Sequence, residues 1–264
     1  MIFAFYKFQG CGNDFIIIDD RMENFNPSTK EIENLCNRRF GIGADGLILI
    51  RNHPESDFEM VYYNSDGKLS TMCGNGSRCV VSLAFDLGLI HENTTFFAAD
   101  GFHEAVIKNV TNKNQKTVAV KMRDVQEIEV NEDFIFLNTG SPHVVIKKQD
   151  IDNFDVFNEG KKIRNSERFK KEGTNVNFIE RNGDYLKVRT YERGVEDETL
   201  SCGTGVTASA IAASVINSIE GNNSCKIKTP GGKLLVNFFK ENNSVKNIWL
   251  EGPAVFVFNG EIEI

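Results

Sequence analysis

The chain alternates short apolar runs with turn-rich breaks over most of its length, a pattern typical of β-strands joined by tight turns. In the first half we predict strands at 2–6, 15–19, 47–51, 58–64, 96–99, 104–110 and 117–122. In the second half we predict strands at 134–138, 144–148, 175–180, 185–191, 225–229, 233–239, 247–251 and 255–258. The pattern indicates a protein built mainly from sheet.

Three segments have helical instead of alternating spacing. The first runs from Ser28 or Thr29, either of which suits an N-cap, to Asn37. The others, 77–87 and 206–217, place apolar or small residues at helical intervals and end near Gly88 and Gly221. Each half thus has many strands and one prominent helix. We predict an α+β fold of two pseudo-symmetric domains, each a mostly antiparallel sheet wrapped around a central helix.

A small signature precedes both prominent helices. It is Cys73-Gly74-Asn75-Gly76 in the first half and Cys202-Gly203-Thr204-Gly205 in the second. A cysteine at a helix N-terminus is primed to ionise, because the helix dipole and the free N–H groups favour the thiolate. A single Cys-Gly pair is usually a buried small residue before a turn, but recurrence at matching places in both halves argues against that interpretation.

The glycines beside each cysteine let a ligand approach the backbone, and the first-turn N–H groups suit a carboxylate. A thiolate next to a bound carboxylate can remove the proton on the carbon that bears it, and a second thiol can return one. The duplicated signature therefore predicts a pair of acid–base cysteines, Cys73 and Cys202.

Composition narrows the classes of function. The chain has 264 residues, 41% of them hydrophobic, and a formal net charge of −7, which argues against nucleic acid as a partner. The N-terminus lacks a signal-peptide pattern, and no apolar run reaches the roughly 18 residues that span a bilayer. We therefore expect a cytoplasmic protein with no membrane partner, whose six cysteines are free thiols.

Other polar residues are candidates for binding. Glu192-Arg193 lies at a predicted strand end just before the second signature, and Asn64 holds the matching place before the first. Arg suits a carboxylate and Glu an ammonium group, so an amino acid with a second polar end could use both. The alternatives are a solvated charge pair and a turn-capping Asn. His143, after a Gly-Ser-Pro turn, is either structural or a proton carrier near a thiol.

The remaining motifs indicate no further type of site. We find no Ser-His-Asp pattern, no specific nucleotide loop and no spacing typical of a metal site, so we predict no cofactor and no metal. Cys36 and Cys225 are predicted to be buried, and Cys11, in a Gly-rich turn, has no assigned role.

Longer motifs make the chain resemble the diaminopimelate epimerases, cofactor-independent enzymes that interconvert LL- and meso-2,6-diaminopimelate. They are Phe8–Phe15 (FQGCGNDF), Arg39–Gly46 (RFGIGADG), Asn64–Gly67 (NSDG), Met72–Cys79 (MCGNGSRC), Tyr191–Val195 (YERGV), Glu198-Thr199 and Cys202–Gly205 (CGTG).

The resemblance implies an N-terminal epimerase domain of residues 1–122 plus about 254–264, which carries Cys73, and a C-terminal domain of residues 123–253, which carries Cys202. It implies a two-base mechanism in which these cysteines exchange roles, serving the synthesis of lysine and of peptidoglycan precursors. It implies a small-molecule substrate and leaves open a homodimer. The substrate-binding residues that it implies are Asn13, Asn64, Gly74, Asn75, Asn175, Glu192, Arg193, Gly203 and Thr204, with His143 in support.

The chain departs from the family pattern at Ser141, where many relatives have Asn, and at Gly46, where some have Gln. Two other hypotheses stay open. A proline or hydroxyproline racemase-like enzyme uses a similar cysteine pair, but it usually has His where this chain has Asn75 and Ser-Pro where this chain has Leu200-Ser201. A non-catalytic binding or redox-sensing relative is expected to have lost a cysteine or the Glu-Arg pair.

Overall fold

The structure is a computed structural model that describes residues 1–263. These residues form seventeen strands and four α-helices, so the α+β class predicted from the sequence is confirmed. The chain divides into two compact units. The first unit comprises Met1–Val120 and the chain from Gly252 onward, and the second comprises Lys121–Glu251.

The elements of the first unit are, in chain order, β1 (Ile2–Gly10), β2 (Asn13–Asp19), α1 (Thr29–Cys36), β3 (Gly46–Arg51), β4 (Phe58–Asn64), β5 (Leu69–Ser70), α2 (Gly74–Asp86), β6 (Asn93–Ala98), β7 (Gly101–Asn112) and β8 (Gln115–Lys121). Those that follow are β9 (Ile128–Val130), β10 (Ile135–Asn138), β11 (Pro142–Lys147), α3 (Val156–Arg164), β12 (Asn175–Asn182), β13 (Tyr185–Glu192), β14 (Asp197–Thr199), α4 (Gly203–Ile216), β15 (Gly221–Thr229), β16 (Gly232–Glu241) and β17 (Ser244–Glu263).

The strands of the two units pair in the same order. In the first, β1–β2 and β3–β4 are antiparallel, β2–β3 and β4–β6 are parallel, β5 pairs with β4, and β6, β7 and β8 form a meander. In the second, β10 to β17 repeat this order strand for strand, with β14 in the place of β5. The internal duplication predicted from the sequence is therefore confirmed.

Each helix is a crossover between two parallel strands, which cannot be joined by a tight turn. The crossovers α2 and α4 are the central helices, because most of their residues are buried. Helix α2 contacts β1, β2, β3 and β7, and α4 contacts β10, β11, β12, β13, β15 and β16. A helix that is buried on nearly all sides belongs inside a core, so each sheet wraps around its own helix.

Three predictions from the sequence need correction. The central helices begin at Gly74 and Gly203, three residues before the predicted starts. Helix α3 was not predicted, although Asp155 caps its N-terminus and three basic residues occupy its last turn. The two strands predicted at 247–251 and 255–258 are parts of one strand, β17, which continues through Pro253.

The predicted first helix is confirmed, with Ser28 as its N-cap. The Ser28 side chain accepts a hydrogen bond from the Glu31 backbone, and the Glu31 side chain accepts one from the Ser28 backbone. Of the helices within residues 1–263, none is both long and apolar enough to span a membrane.

Candidate active site

The two signature cysteines occupy the same backbone position in their units. Cys73 is the N-cap of α2 with φ −109° and ψ 121°, and Cys202 is the N-cap of α4 with φ −112° and ψ 113°. The Ser77 N–H donates to the Cys73 carbonyl at 2.7 Å, and the Val206 N–H donates to the Cys202 carbonyl at 2.8 Å. Neither thiol caps its helix, so both helix N-termini retain the geometry that attracts anions.

Glycines allow the first turn of each helix to lie close to its surroundings. A Cβ on Gly76 would lie 3.1–3.4 Å from side-chain atoms of Ile48, Met60 and Phe15. A Cβ on Gly205 would lie 2.4 Å from Oδ1 of Asn177, which is too close for any real contact. The glycines therefore allow close packing as well as the approach of a ligand to the backbone. This packing explains why both helices begin before their apolar pattern does.

In the first unit, Cys73 is half-buried and faces two asparagines. Its Sγ donates to Oδ1 of Asn13 at 3.6 Å, and Nδ2 of Asn75 donates to the same oxygen at 3.3 Å. Nδ2 of Asn13 donates to Oδ2 of Asp45 at 2.6 Å. This last bond fixes the Asn13 amide with its oxygen towards the thiol.

An ionic network of Lys7, Asp14, Arg38 and Asp45 lies behind Asn13. Arg38 donates to Asp14 at 2.6 Å and to Asp45 at 2.7 Å, and Nζ of Lys7 lies 2.7 Å from Asp14. Burial alone would raise the pKa of Asp14, but the hydrogen bonds from Arg38 and Lys7 outweigh it and lower the pKa to about 2. Asp14 is thus ionised at neutral pH.

In the second unit, Cys202 is buried and lies beside Thr204. The Cys202 sulfur and the Thr204 hydroxyl are 3.5 Å apart, and the Thr139 hydroxyl donates to the Thr204 carbonyl at 2.9 Å. The supporting groups here are hydroxyls, where the first unit has charges.

His143 lies at the centre of a buried neutral network in the second unit, which consists of His143, Asn175, Asn177 and Thr190. Thr190 donates its hydroxyl to Oδ1 of Asn177 at 2.9 Å, so Nδ2 of Asn177 faces Nδ1 of His143 at 3.1 Å. Nδ1 is then the acceptor. Nε2 lies 3.5 Å from Nδ2 of Asn175, whose Oδ1 accepts from the Arg193 N–H, so this second amide also turns an N–H group towards the ring. Complete burial, with a smaller effect from the charge of Arg193, lowers the pKa of His143 to about 3. His143 is therefore a neutral imidazole at neutral pH.

Backbone and side-chain contacts hold Glu192 and Arg193 at the end of β13. Oε2 of Glu192 accepts from the Thr199 hydroxyl at 2.9 Å. The Arg193 backbone N–H donates to Oδ1 of Asn175 at 2.8 Å, and its guanidinium donates to the Glu172 carbonyl at 2.8 Å. Asn64 ends β4 as Glu192 ends β13, and its side chain is exposed.

In each unit, several of the predicted residues lie at or next to the helix start. Asn13, Gly74 and Asn75 surround Cys73, and in the second unit Asn175 links His143 to Arg193, while Gly203 and Thr204 follow Cys202. Four supporting residues have no role predicted from the sequence: Asp45, Arg78, Asn177 and Thr190. Asp45 and Arg78 lie inside the quoted motifs, and Asn177 follows Asn175 on the same face of β12, so signals for three of them were present.

Gly46 lacks room for a side chain. A Cβ there would lie 2.5 Å from the Tyr63 carbonyl oxygen and 2.6 Å from the Tyr62 ring. Tyr62 fills the space beside Gly46.

The other cysteines are buried thiols. Burial raises the pKa of Cys36 to about 11, and it also raises the pKa values of Cys11, Cys79 and Cys225. Within residues 1–263, no cluster of three or more His, Cys, Asp or Glu side chains could hold a metal ion.

Comparisons with known proteins identify the family. A family model described as diaminopimelate epimerase matches residues 5–128 and again 135–257. A diaminopimelate epimerase from Flavobacterium psychrophilum is 52% identical over 97% of this chain and 99% of its own length. One from Aquifex aeolicus is 40% identical over 98% of this chain and 97% of its own length.

Solved structures share the fold at low sequence identity. A phenazine biosynthesis protein of the PhzF family from Bacillus anthracis matches with a TM-score of 0.73 at 15% identity, and each chain is covered completely. A hydroxyproline epimerase from Agrobacterium vitis matches with a TM-score of 0.70 at 13% identity over 99% of this chain and 92% of its own. At such identity these structures show the fold alone. The family model and the full-length relatives carry the assignment: this chain belongs to the diaminopimelate epimerase family.

Proposed function

We propose that this chain is an isomerase that epimerises LL-2,6-diaminopimelate to meso-2,6-diaminopimelate by a two-base mechanism with Cys73 and Cys202. The observation that carries the proposal is the repeated helix start. A cysteine with nearly the same φ and ψ occupies the N-cap position of both central helices in a chain of this family.

The chemistry needs no oxidant or reductant. One cysteine, as thiolate, takes the proton from the α-carbon, and the electron pair of the broken C–H bond passes into the carboxylate. The other cysteine, as thiol, gives its proton to the opposite face of the same carbon. The second thiol becomes a thiolate and the first a thiol, so the protons balance and the reverse reaction exchanges the roles.

The substrate carboxylate at the reacting carbon is proposed to bind the helix starts through the backbone of Gly74-Asn75 and Gly203-Thr204. There the helix dipole stabilises the charge that develops when the proton leaves. We propose that the asparagines Asn13, Asn64 and Asn175 contribute amide contacts. We assign the distal amino-acid end to Glu192 and Arg193, because its ammonium and carboxylate match their charges.

His143 has a supporting part in this proposal. A neutral imidazole that packs against Gly205 can orient the first turn of α4, but it is not a cationic partner for a thiolate. We therefore assign proton transfer to the cysteines alone.

We extend the proposal to the cellular setting that the family likeness suggests. The chain is proposed to act in the cytoplasm, without a cofactor, in the supply of lysine and peptidoglycan precursors, and to form a homodimer. Light scattering of the purified protein tests the dimer.

Incubation of the purified protein with LL-diaminopimelate in deuterated water, followed by chiral chromatography and mass spectrometry, tests the function. We expect meso-diaminopimelate with solvent deuterium at the new stereocentre. Turnover without label would exclude proton abstraction. A parallel incubation with trans-4-hydroxy-L-proline tests the racemase-like alternative, and turnover of that substrate alone would replace the proposal.

A further inference from the structure

In each unit, the signature cysteine ends a short connecting segment that is neither helix nor strand. Residues 71–73 join β5 to α2, and residues 200–202 join β14 to α4. Because the backbone groups of such a segment are not paired in a regular ladder, individual contacts decide where the segment lies. The contacts to these two segments therefore determine the position of each cysteine.

The turns of two matching hairpins reach these segments. The β6–β7 hairpin follows α2, and the β15–β16 hairpin follows α4. Each hairpin closes through two turn residues, Ala99-Asp100 in the first unit and Pro230-Gly231 in the second. The second turn residue makes the contact in both. Oδ1 of Asp100 accepts from the Met72 N–H at 3.1 Å. The Gly231 N–H donates to the Leu200 carbonyl at 2.9 Å.

Asp100 is itself held by a histidine of the same hairpin. Nε2 of His103 lies 3.3 Å from Oδ1 of Asp100, and this hydrogen bond lowers the pKa of Asp100, although partial burial opposes it. The carboxylate is therefore ionised at neutral pH and accepts hydrogen bonds only. The His103 ring stacks on the buried Phe96 ring at 5.3 Å, so the core of the first unit supports the carboxylate through His103.

Met72 directly precedes Cys73, so two different elements hold the backbone on the two sides of the cysteine. Before it, the hairpin turn holds the Met72 N–H. After it, the first turn of α2 holds the Cys73 carbonyl through the Ser77 N–H. The thiol then lies 3.6 Å from Oδ1 of Asn13. A displacement of about 1 Å from the reacting geometry can slow an enzyme about a hundredfold, so both contacts matter for proton transfer.

We propose that Asp100 is a positioning residue for the reaction: from the turn of the β6–β7 hairpin, its carboxylate holds the Met72 N–H and so keeps Cys73 where it can transfer a proton. The matching contact in the second unit comes from the backbone of Gly231, so Asp100 is the side chain through which the contact can be tested. The inference rests on the proposed function for the reaction itself, but the position of Cys73 is a property of the protein without substrate.

Three variants separate positioning from charge and from stability. Asp100→Asn keeps an oxygen that can accept from Met72 but removes the charge, whereas Asp100→Ala removes both. Asp124→Ala is the matched control, because Oδ1 of Asp124 also accepts a backbone N–H from a distant segment, that of Asn247 at 3.0 Å, within the second unit.

Steady-state kinetics with LL-diaminopimelate give kcat and KM for each variant. We expect Asp100→Ala to lower kcat about 10- to 100-fold and to leave KM within about threefold, because a displaced thiol impairs proton transfer more than binding. Asp100→Asn should keep kcat within about threefold, since the acceptor for Met72 remains. Asp124→Ala should keep the wild-type kcat and KM.

Alkylation by iodoacetamide without substrate reports the position of the cysteines independently of turnover. Tryptic peptides analysed by tandem mass spectrometry give separate rates for Cys73 and Cys202. In Asp100→Ala we expect Cys73 to react at least about threefold faster than in the wild type, because the half-buried thiol leaves its place beside Asn13 and becomes more accessible. The rate at Cys202 should not change, and Asp100→Asn should keep the wild-type rate at Cys73.

A wild-type kcat or an unchanged Cys73 alkylation rate in Asp100→Ala would overturn the inference. Equal losses of kcat in Asp100→Ala and Asp100→Asn would also overturn it, since the charge and not the held N–H would then matter. If circular dichroism shows that Asp100→Ala does not fold, Asp100→Ser takes its place, because serine suits a turn and is one atom too short to reach Met72. Lack of epimerase activity in the wild type would overturn the proposed function, whereas the alkylation rates would still test the position of Cys73, so the two failures are distinguishable.

Discussion

The two helix starts have the same backbone and opposite surroundings. At Cys73 the support is ionic: Asn13 is fixed by Asp45, which belongs to the ionic network of Lys7, Asp14, Arg38 and Asp45. At Cys202 the support is neutral: the Thr204 hydroxyl lies beside the cysteine, and the buried network of His143, Asn175, Asn177 and Thr190 lies against Gly205. The duplicated halves therefore preserve the helix N-terminus and differ in how the side chains hold it.

Solvent exposure separates the two kinds of support. At the first helix start Arg38 keeps 58% of its side-chain surface exposed, although Lys7 and Asp14 keep only 7% and 16% of theirs. At the second, His143 is completely buried. Exposed ion pairs contribute little to stability because water and salt screen them, but a buried polar network is costly to disturb. We infer that the first helix start is electrostatically tuned and that the second is rigidly packed.

The largest expected effect comes from removing either one of the two acid–base cysteines. Here the two units should behave alike. Cys73→Ala and Cys202→Ala are each expected to lower epimerisation at least about a thousandfold, because each removes a proton donor or acceptor from the reacting carbon. Chiral analysis of the product measures the effect. Cys36→Ala and Cys225→Ala, one buried cysteine in each unit, are the controls and should stay active. A single variant at Cys73 or Cys202 with near-normal turnover contradicts the two-base mechanism.

Variants at the matching strand ends of the two units should differ in their effect on kcat/KM. Glu192→Gln and Arg193→Met are expected to lower kcat/KM for diaminopimelate about 10- to 100-fold, since each removes a charged hydrogen-bond partner. Asn64→Ala, at the matching strand end, removes only a neutral amide, and we expect a loss of about fivefold. Steady-state kinetics with Arg123→Met as control measures these effects. If both Glu192→Gln and Arg193→Met keep the wild-type kcat/KM, the two residues are a solvated charge pair at the strand end and do not bind the substrate.

Replacing the matching glycines Gly205 and Gly76 should show that the two helix starts are packed differently. Gly205→Ala is expected to lower the free energy of unfolding by about 1–3 kcal/mol, because the new methyl group collides with Asn177, which hydrogen bonds hold in place. Gly76→Ala meets the ends of flexible side chains and gains helix propensity, so we expect a change below about 1 kcal/mol. Urea unfolding of the two variants measures the difference, and equal losses would show that both helix starts are packed alike.

Acid should weaken the second unit through His143. The pKa of this residue falls from 6.5 to about 3 on folding, so the unfolded chain binds a proton that the folded chain refuses. The corresponding stability is complete above pH 6.5 and is lost as the pH falls towards 3, by about 2 kcal/mol at pH 5. Urea unfolding between pH 7.5 and 4.5 measures it. His143→Gln should lose this part of the pH dependence; an identical slope in the variant would mean that His143 is not buried as a neutral ring.

Much of the fold followed from local pattern. Period-two alternation located most strands, and the Ser28 capping box located the start of α1. The starts of the central helices did not follow, because Gly74 and Gly203 have low helix propensity and are kept helical by close packing. Helix α3 was missed because it is short, and its charged ends masked the few residues that it buries.

The sequence by itself determined the duplication, the two cysteines and the family, because these depend on residue types in a fixed order. It also supplied most residues around the helix starts, since the motifs are contiguous. Only the tertiary structure decided that Arg78 holds the peptide after Cys73, that Asp45 fixes Asn13, and that His143 is neutral. The reason is physical: charge, burial and hydrogen-bond partners depend on which distant segments the fold brings together, and residue order along one chain does not specify them.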